Sequence, residues 1–161
     1  MKKVLYLHGL ESNQGGPKVD FLANKFCVHA PSMDYTNPMV QNELEFIMRQ
    51  FDPDLIIGSS MGGYAADILA EKYGKPAILF NPALHNRSFD PAIEYPIEGE
   101  QAELQERKVV VLGKNDEVIP PYLTKIMLEN NFNYKIILKE MGHQTPLNIF
   151  IDIVNKYKNE L

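Results

Sequence analysis

The chain contains a single cysteine, Cys27, among its 161 residues. One thiol excludes an intramolecular disulfide, which is typical of proteins that work in a reducing compartment. We expect Cys27 itself to pack in the core, because free cysteines are commonly buried. At this length the chain suits one domain with a single buried core.

Long apolar runs are also missing. The first apolar run, Val4–Leu7, ends at a histidine and is too short for the apolar region of an export signal. No run approaches the ~18 apolar residues that a membrane span needs. We therefore expect a cytoplasmic protein with no anchor and no membrane partner.

Basic residues are outnumbered. Lysine and arginine total 16 against 21 acidic residues, which gives a formal net charge of −5. Domains that bind nucleic acid usually carry a basic patch, so we expect no nucleic-acid partner. Apolar residues make up 45% of the chain, which is typical of a soluble globular protein.

Short apolar segments predict six strands, and most are continuous rather than alternating in polarity. They are Lys3–His8, Lys25–His29, Asp54–Gly58, Pro76–Phe80, Lys108–Gly113 and Tyr134–Lys139. Continuous apolar strands are typical of a parallel sheet that is covered on both faces.

The segments between these strands have apolar residues at helical spacing. The predicted helices are Pro17–Asn24, Pro38–Phe51, Met61–Tyr73, Pro121–Asn130 and Pro146–Lys158. Alternating strands and helices predict an α/β domain with right-handed crossovers. Residues 83–107 follow neither period, so we expect an irregular excursion or a small cap within one domain, 1–161.

The sequence GSSMGG, residues 58–63, follows the third predicted strand and opens a predicted helix. A phosphate-binding loop requires lysine after the last glycine, where Tyr64 stands. A dinucleotide-binding loop requires glycine at the position of Ser60. Two interpretations remain: a G-x-S-x-G turn that presents Ser60 as a nucleophile, and a plain glycine-rich turn.

A serine nucleophile needs a base, and in α/β hydrolases the histidine follows the serine and the acid along the chain. His85 and His143 both follow Ser60. His143 lies in the loop after the last strand, next to Gly142, and the alternative is an exposed loop histidine. We expect His85 to be exposed within the irregular excursion.

The acid is expected after a strand that lies between the serine and the histidine. Asp116 and Glu117 follow the fifth strand, and a carboxylate there would orient the imidazole. Asp116 is preferred for its position and its shorter side chain. Its alternative role is to cap the next helix.

Backbone amides are the candidates for an oxyanion hole. Met61 begins the helix after the serine, and Leu10 follows the first strand. His8 and Gly9 end that strand and are candidates for the substrate pocket. For the His8 side chain we favour a structural role, in which it bonds nearby backbone.

The motifs LYLHGLESN, GSSMGGYAA, FNPAL, NDEV and GH together resemble the YqiA/YcfP-type esterases, a small branch of the α/β-hydrolase superfamily. The resemblance runs from Leu5 to about His143. It implies a minimal α/β-hydrolase fold without a large lid, and a triad of Ser60, Asp116 and His143. It also places Asn81 either near the pocket or in a turn.

The usual superfamily pattern has two antiparallel strands before the strand that ends at His8 and Gly9. Without them, the expected fold is a mostly parallel sheet of six strands in the order 2-1-3-4-5-6, with helices on both faces. A large acyl pocket is not expected in so short a chain.

The sequence thus predicts a serine hydrolase that cleaves a small carboxylic ester or thioester through an acyl-enzyme. No cofactor is expected, and no metal, since the histidines lack ligand spacing. The alternative is a catalytically idle binding module that keeps the hydrolase scaffold, because a fold does not guarantee an activity.

Overall fold

The structure, a computed structural model, describes residues 1–10, 12, 14–97 and 108–160. Its strands are β1 (Lys3–Leu7), β2 (Cys27–His29), β3 (Leu55–Ser59), β4 (Ala77–Phe80), β5 (Lys108–Gly113) and β6 (Tyr134–Lys139). Its helices are α1 (Pro17–Ala23), α2 (Val40–Phe51), α3 (Met61–Tyr73), α4 (Pro121–Leu128) and α5 (Leu147–Tyr157). The predicted bounds of β5, β6 and α3 are those observed.

The strands form one sheet in the order β2-β1-β3-β4-β5-β6, and every pairing between neighbours is parallel. The predicted order is therefore confirmed. All strands point the same way, so the loops that follow them meet at one edge of the sheet. In sheets of this kind, ligands bind at that edge.

Alternate residues of each strand pack on opposite faces of the sheet. One face packs against α2, α3 and α4 through strand residues that include Leu5, Leu7, Ile56, Leu79 and Val110. The other face packs against α1 and α5 through Val4, Tyr6, Leu55, Ile57, Ile78 and Val109. Coverage on both sides explains why the strands read as continuous apolar runs.

At the edge of the sheet, β2 and one of its residues, Cys27, differ from expectation. β2 begins at Cys27 rather than Lys25 and is only 3 residues long. Cys27 is exposed, so the prediction that it packs in the core is wrong. β2 pairs only with β1, and its burial pattern leaves both Cys27 and His29 exposed. A short edge strand gives its side chains too few neighbours to bury them.

Residues 83–97 contain no helix or strand, as the irregular pattern predicts. Residues 98–107, the second part of the predicted excursion, lie outside the described residues. Among the residues that are described, no helix combines the length and the apolar character needed to cross a bilayer.

A buried ion pair joins α3 to the start of β5. The Lys108 ammonium donates to the carboxylates of Asp67, at 2.8 Å, and Glu71, at 3.0 Å. The side chains of Lys108 and Asp67 are 0% and 2% exposed. The hydroxyls of Tyr95 and Tyr134 donate to Asp67 at 2.5 and 2.9 Å. The network therefore fastens the irregular segment, through Tyr95, to the core.

Burial by itself lowers the pKa of Lys108, because a charged group loses its hydration. The charge of Asp67 and the hydrogen bonds to Asp67 and Tyr134 outweigh that loss. The net result is a Lys108 pKa above its ordinary value, so the ammonium stays protonated at neutral pH.

Candidate active site

Ser60 occupies a strained turn between β3 and α3. Its backbone angles are φ 54° and ψ −117°, a left-handed φ that residues other than glycine adopt rarely. The Ser60 amide donates to the carbonyl of Phe80 at 3.0 Å, and the Ser60 carbonyl accepts from the Ala83 amide at 2.9 Å. Hydrogen bonds to neighbouring segments thus hold the turn in this conformation.

The glycines on either side of Ser60 let the strand and helix approach each other. A Cβ on Gly58 would lie 2.3 Å from the carbonyl oxygen of Gly62. A Cβ on Gly62 would lie 2.2 Å from the carbonyl oxygen of Leu7 in β1. Both distances are shorter than real side chains tolerate, so the G-x-S-x-G spacing has a steric cause here.

His143 and Asp116 form a hydrogen-bonded row with Ser60. The Nε2 of His143 lies 3.0 Å from the Ser60 Oγ, and its Nδ1 lies 2.9 Å from the Asp116 Oδ2. A carboxylate only accepts hydrogen bonds, so Nδ1 carries the proton and Nε2 accepts from the serine hydroxyl. The structure therefore joins the three side chains in the predicted order.

Asp116 uses its two oxygens for different partners. Oδ1 accepts from the amides of Val118 and Ile119, both at 2.9 Å, while Oδ2 faces His143. The Asp116 side chain is 0% exposed, whereas Glu117 is exposed. The turn bonds fix the carboxylate beside His143. The alternative prediction, that Asp116 caps the next helix, is wrong, because α4 begins after Pro120 and has no side-chain hydrogen bond at its N-terminal cap.

Asn81 links three of the loops at this edge and adopts a left-handed φ of 43°. Its Oδ1 accepts from the Gly113 amide at 2.7 Å. Its Nδ2 donates to the carbonyls of Gly142, at 3.1 Å, and His143, at 2.8 Å. The Asn81 side chain thus ties the end of β4 to the end of β5 and to the histidine loop.

His8 fixes the loop after β1. Its Nδ1 lies 2.6 Å from the Gly9 carbonyl, and its Nε2 accepts from the Met33 amide at 3.0 Å. The Tyr35 hydroxyl donates to the His8 carbonyl at 2.6 Å, and burial raises the pKa of Tyr35, which keeps it a donor. The structural role favoured for the His8 side chain is the one observed.

Two cavities share Ser60 as a lining residue, together with Leu10, Ser88 and Val118. The first, about 290 Å³, is also lined by Gly9, Ser12, Ser59, His143 and Gln144, and we call it the His143 cavity. The second, about 260 Å³, is also lined by Met61, Ala83, Asn86, Arg87 and Ile119, and we call it the Met61 cavity.

The cavities place the remaining predicted residues. Gly9 lines the His143 cavity, and Leu10 and Met61 lie beside Ser60 in the Met61 cavity. His8 and Asn81 line neither cavity, and they are only 5% and 1% exposed. Neither side chain therefore lines the two cavities: both are buried, and both bond backbone, that of lining residues Gly9 and His143 included.

His85 also departs from expectation, because it is half-buried rather than exposed. The Ser60 hydroxyl donates to His143 Nε2, and His143 Nδ1 donates to Asp116. The choice between the two histidines that follow Ser60 is therefore decided by the geometry of the loops.

Residues 3–109, about two thirds of the chain, match the Uncharacterised protein family (UPF0227), and the chain belongs to that family. This is the YqiA/YcfP-type family that the motifs resemble. The match includes Ser60 and Asn81, whereas Asp116 and His143 lie beyond its end.

Solved structures similar to this chain share its fold. A monoacylglycerol lipase from Paleococcus ferrophilus is 16% identical with a TM-score of 0.74, over 99% of this chain and 95% of the other. A thermophilic esterase from Thermogutta terrifontis is 14% identical with a TM-score of 0.72, over 99% and 90%. A Bacillus cereus carboxylesterase is 20% identical with a TM-score of 0.60, over 99% and 89%. The chain has an α/β-hydrolase fold.

Proposed function

We propose that the protein is a serine hydrolase that cleaves a small carboxylic ester or thioester through an acyl-enzyme. The hydrogen-bonded row from Ser60 through His143 to Asp116 carries this proposal, because a serine hydroxyl becomes a useful nucleophile only when a base takes its proton. Lipases and esterases among the structures of similar fold support the same class of reaction.

In the proposed reaction, the Ser60 Oγ attacks the carbonyl carbon while His143 Nε2 takes the hydroxyl proton. Asp116 holds the imidazole in the required tautomer and stabilises its charged form. The amides of Leu10 and Met61 donate to the oxyanion, and one such donor typically contributes about 3–4 kcal/mol to transition-state stability.

The tetrahedral intermediate collapses when its bond to the leaving group breaks. His143 returns its proton to the departing oxygen or sulfur, and the acyl group stays on Ser60. Water then attacks the acyl-enzyme as His143 takes a proton from it. The acid is released, and the proton returns to Ser60.

A panel of chromogenic acyl esters and acyl-CoA thioesters, assayed with wild type and Ser60→Ala, tests this function. We expect hydrolysis of at least one substrate series by wild type and its loss in the variant. Activity that survives Ser60→Ala and disappears with a metal chelator would overturn the mechanism. A folded protein that binds acyl esters without cleaving them would favour the idle binding module.

Asn81 gives a prediction about positioning. Replacing Asn81 with glycine keeps the left-handed backbone accessible but removes the bonds to the histidine loop. We expect kcat to fall about 10–100-fold with KM little changed, because small displacements of a catalytic group are costly. The matched control is Asn131→Ala, which removes an amide from an exposed turn. Equal kcat in the two variants would contradict the role of Asn81.

A further inference from the structure

Only one of the two cavities at Ser60 is lined by His143, the proposed base. His143 lines the His143 cavity and is not among the residues that line the Met61 cavity. In the proposed reaction the leaving group must receive its proton from His143 Nε2. The alcohol therefore belongs in the His143 cavity, and the acyl group belongs in the Met61 cavity, beside the Met61 amide.

The lining of the His143 cavity is mixed, with polar residues among apolar ones. Ser12, Ser59, Ser88 and Gln144 are among its lining residues, and hydroxyl and carboxamide side chains can both donate and accept hydrogen bonds. Among the described lining residues, none carries a formal charge apart from the His143 imidazole when it is protonated. Side chains of this kind can bond the hydroxyls of a neutral alcohol.

The Met61 cavity is more apolar, with Met61, Ala83, Val118 and Ile119 in its lining. Arg87 also lines it, but its guanidinium already has partners. Its Nη1 donates to the carbonyls of Ala83 and Leu84 at 2.9 and 2.7 Å.

The opposite side of the Arg87 guanidinium pairs with a carboxylate. Nε and Nη2 donate to the Asp90 Oδ1 at 3.0 and 2.8 Å. The charge of Arg87 is thus compensated within its own segment, and the cavity does not require an anionic acyl group.

The cavity volumes set the scale of the part of each substrate half that can be enclosed. At roughly 30 Å³ for each non-hydrogen atom, the volumes of about 290 and 260 Å³ each hold about eight to ten such atoms. Asn86 lines the Met61 cavity, and its Nδ2 donates to the Val118 carbonyl at 2.8 Å. That bond joins the irregular segment to the loop that carries Asp116.

We propose that the substrates are esters of a short, uncharged acyl group with a small neutral polyol. This inference rests on the proposed function and adds the assignment of the two cavities. We assign Gln144 a specificity-determining role for the alcohol, because it is exposed and lines the His143 cavity but not the Met61 cavity.

The test compares two butyrate esters that differ in hydrogen-bonding groups. One is 2,3-dihydroxypropyl butyrate, and the other is 2,3-dimethoxypropyl butyrate, in which methylation removes both donors. We expect wild type to prefer the diol ester at least about tenfold in kcat/KM, as two neutral hydrogen bonds imply. Released acid is measured by titration, so neither substrate needs a chromophore.

The same pair of esters is then assayed with Gln144→Ala. A second series, from the acetate to the dodecanoate ester of the same diol, is assayed with wild type. We expect the preference to fall toward unity in Gln144→Ala, and kcat/KM of wild type to drop beyond about eight carbons. Equal rates for the two butyrates, an unchanged preference in Gln144→Ala, or a peak at dodecanoate would overturn the assignment. Hydrolysis of chromogenic esters in that case would leave the proposed function intact, whereas no ester hydrolysis at all would overturn both.

Discussion

Replacing Ser60 with alanine is expected to lower kcat/KM for a chromogenic acyl ester by about 10⁴-fold or more, because it removes the hydroxyl that is hydrogen-bonded to His143. His143→Ala is expected to cost a similar factor, since Ser60 then keeps its proton. The kcat/KM of the variant with both substitutions, Ser60→Ala and His143→Ala, should lie within about tenfold of the values for the single variants, because the two residues act as one unit.

The control for these variants is Ser32→Ala, which removes a hydroxyl from an exposed loop residue. We expect its kcat/KM to equal that of wild type. Circular dichroism and thermal unfolding establish that each variant is folded. A folded Ser60→Ala protein that retains activity within tenfold of wild type would contradict the assignment of the nucleophile.

Replacing Lys108 with methionine is expected to lower the free energy of unfolding by about 3–5 kcal/mol, because it leaves the buried carboxylate of Asp67 without its cation. For a domain of this size the midpoint of thermal unfolding should fall by roughly 6–20 °C. The matched control is Lys75→Met, which breaks an ion pair with Asp52, whose side chain is 73% exposed. That variant is expected to lose no more than about 1 kcal/mol.

A double variant distinguishes the contribution of the ion pair between Lys108 and Asp67 from that of side-chain packing. Lys108→Met combined with Asp67→Leu removes both buried charges, so we expect it to be more stable than Lys108→Met alone. The pKa of Lys108 is raised in the folded state, so its contribution is fully present below the ordinary lysine pKa and is lost only as the pH rises above it. Equal losses in Lys108→Met and Lys75→Met would contradict this account.

The features that sequence predicted well depend on local patterns. Continuous apolar strands indicate coverage on both faces, and amphipathic segments between them indicate crossovers, which together predict the sheet. The spacing of Gly58 and Gly62 around Ser60 indicates that the strand and the helix approach each other closely. Asp116 and His143 were located because they follow strands in the order that the hydrolase scaffold requires, and parallel strands bring such loops to one edge.

The features that sequence missed depend on contacts between distant segments. Asn81 holds the histidine loop through bonds that span 61 and 62 residues, and no local pattern distinguishes that role from a turn cap. Lys108 begins an apolar strand, where a lysine is usually expected to reach solvent. It is buried because Asp67, 41 residues earlier, lies opposite it on α3. Cys27 is exposed because the strand that carries it is short and at the edge.

The central claim is that Ser60 is a nucleophile activated by His143, and labelling with a serine-directed fluorophosphonate tests it most directly. Intact mass and peptide mapping give the stoichiometry and the modified residue. We predict one adduct per wild-type chain, located on Ser60, and at least a hundredfold slower labelling in folded His143→Ala. Labelling of Ser59 instead, labelling that is indifferent to His143, or no labelling of the folded wild-type protein would contradict the account.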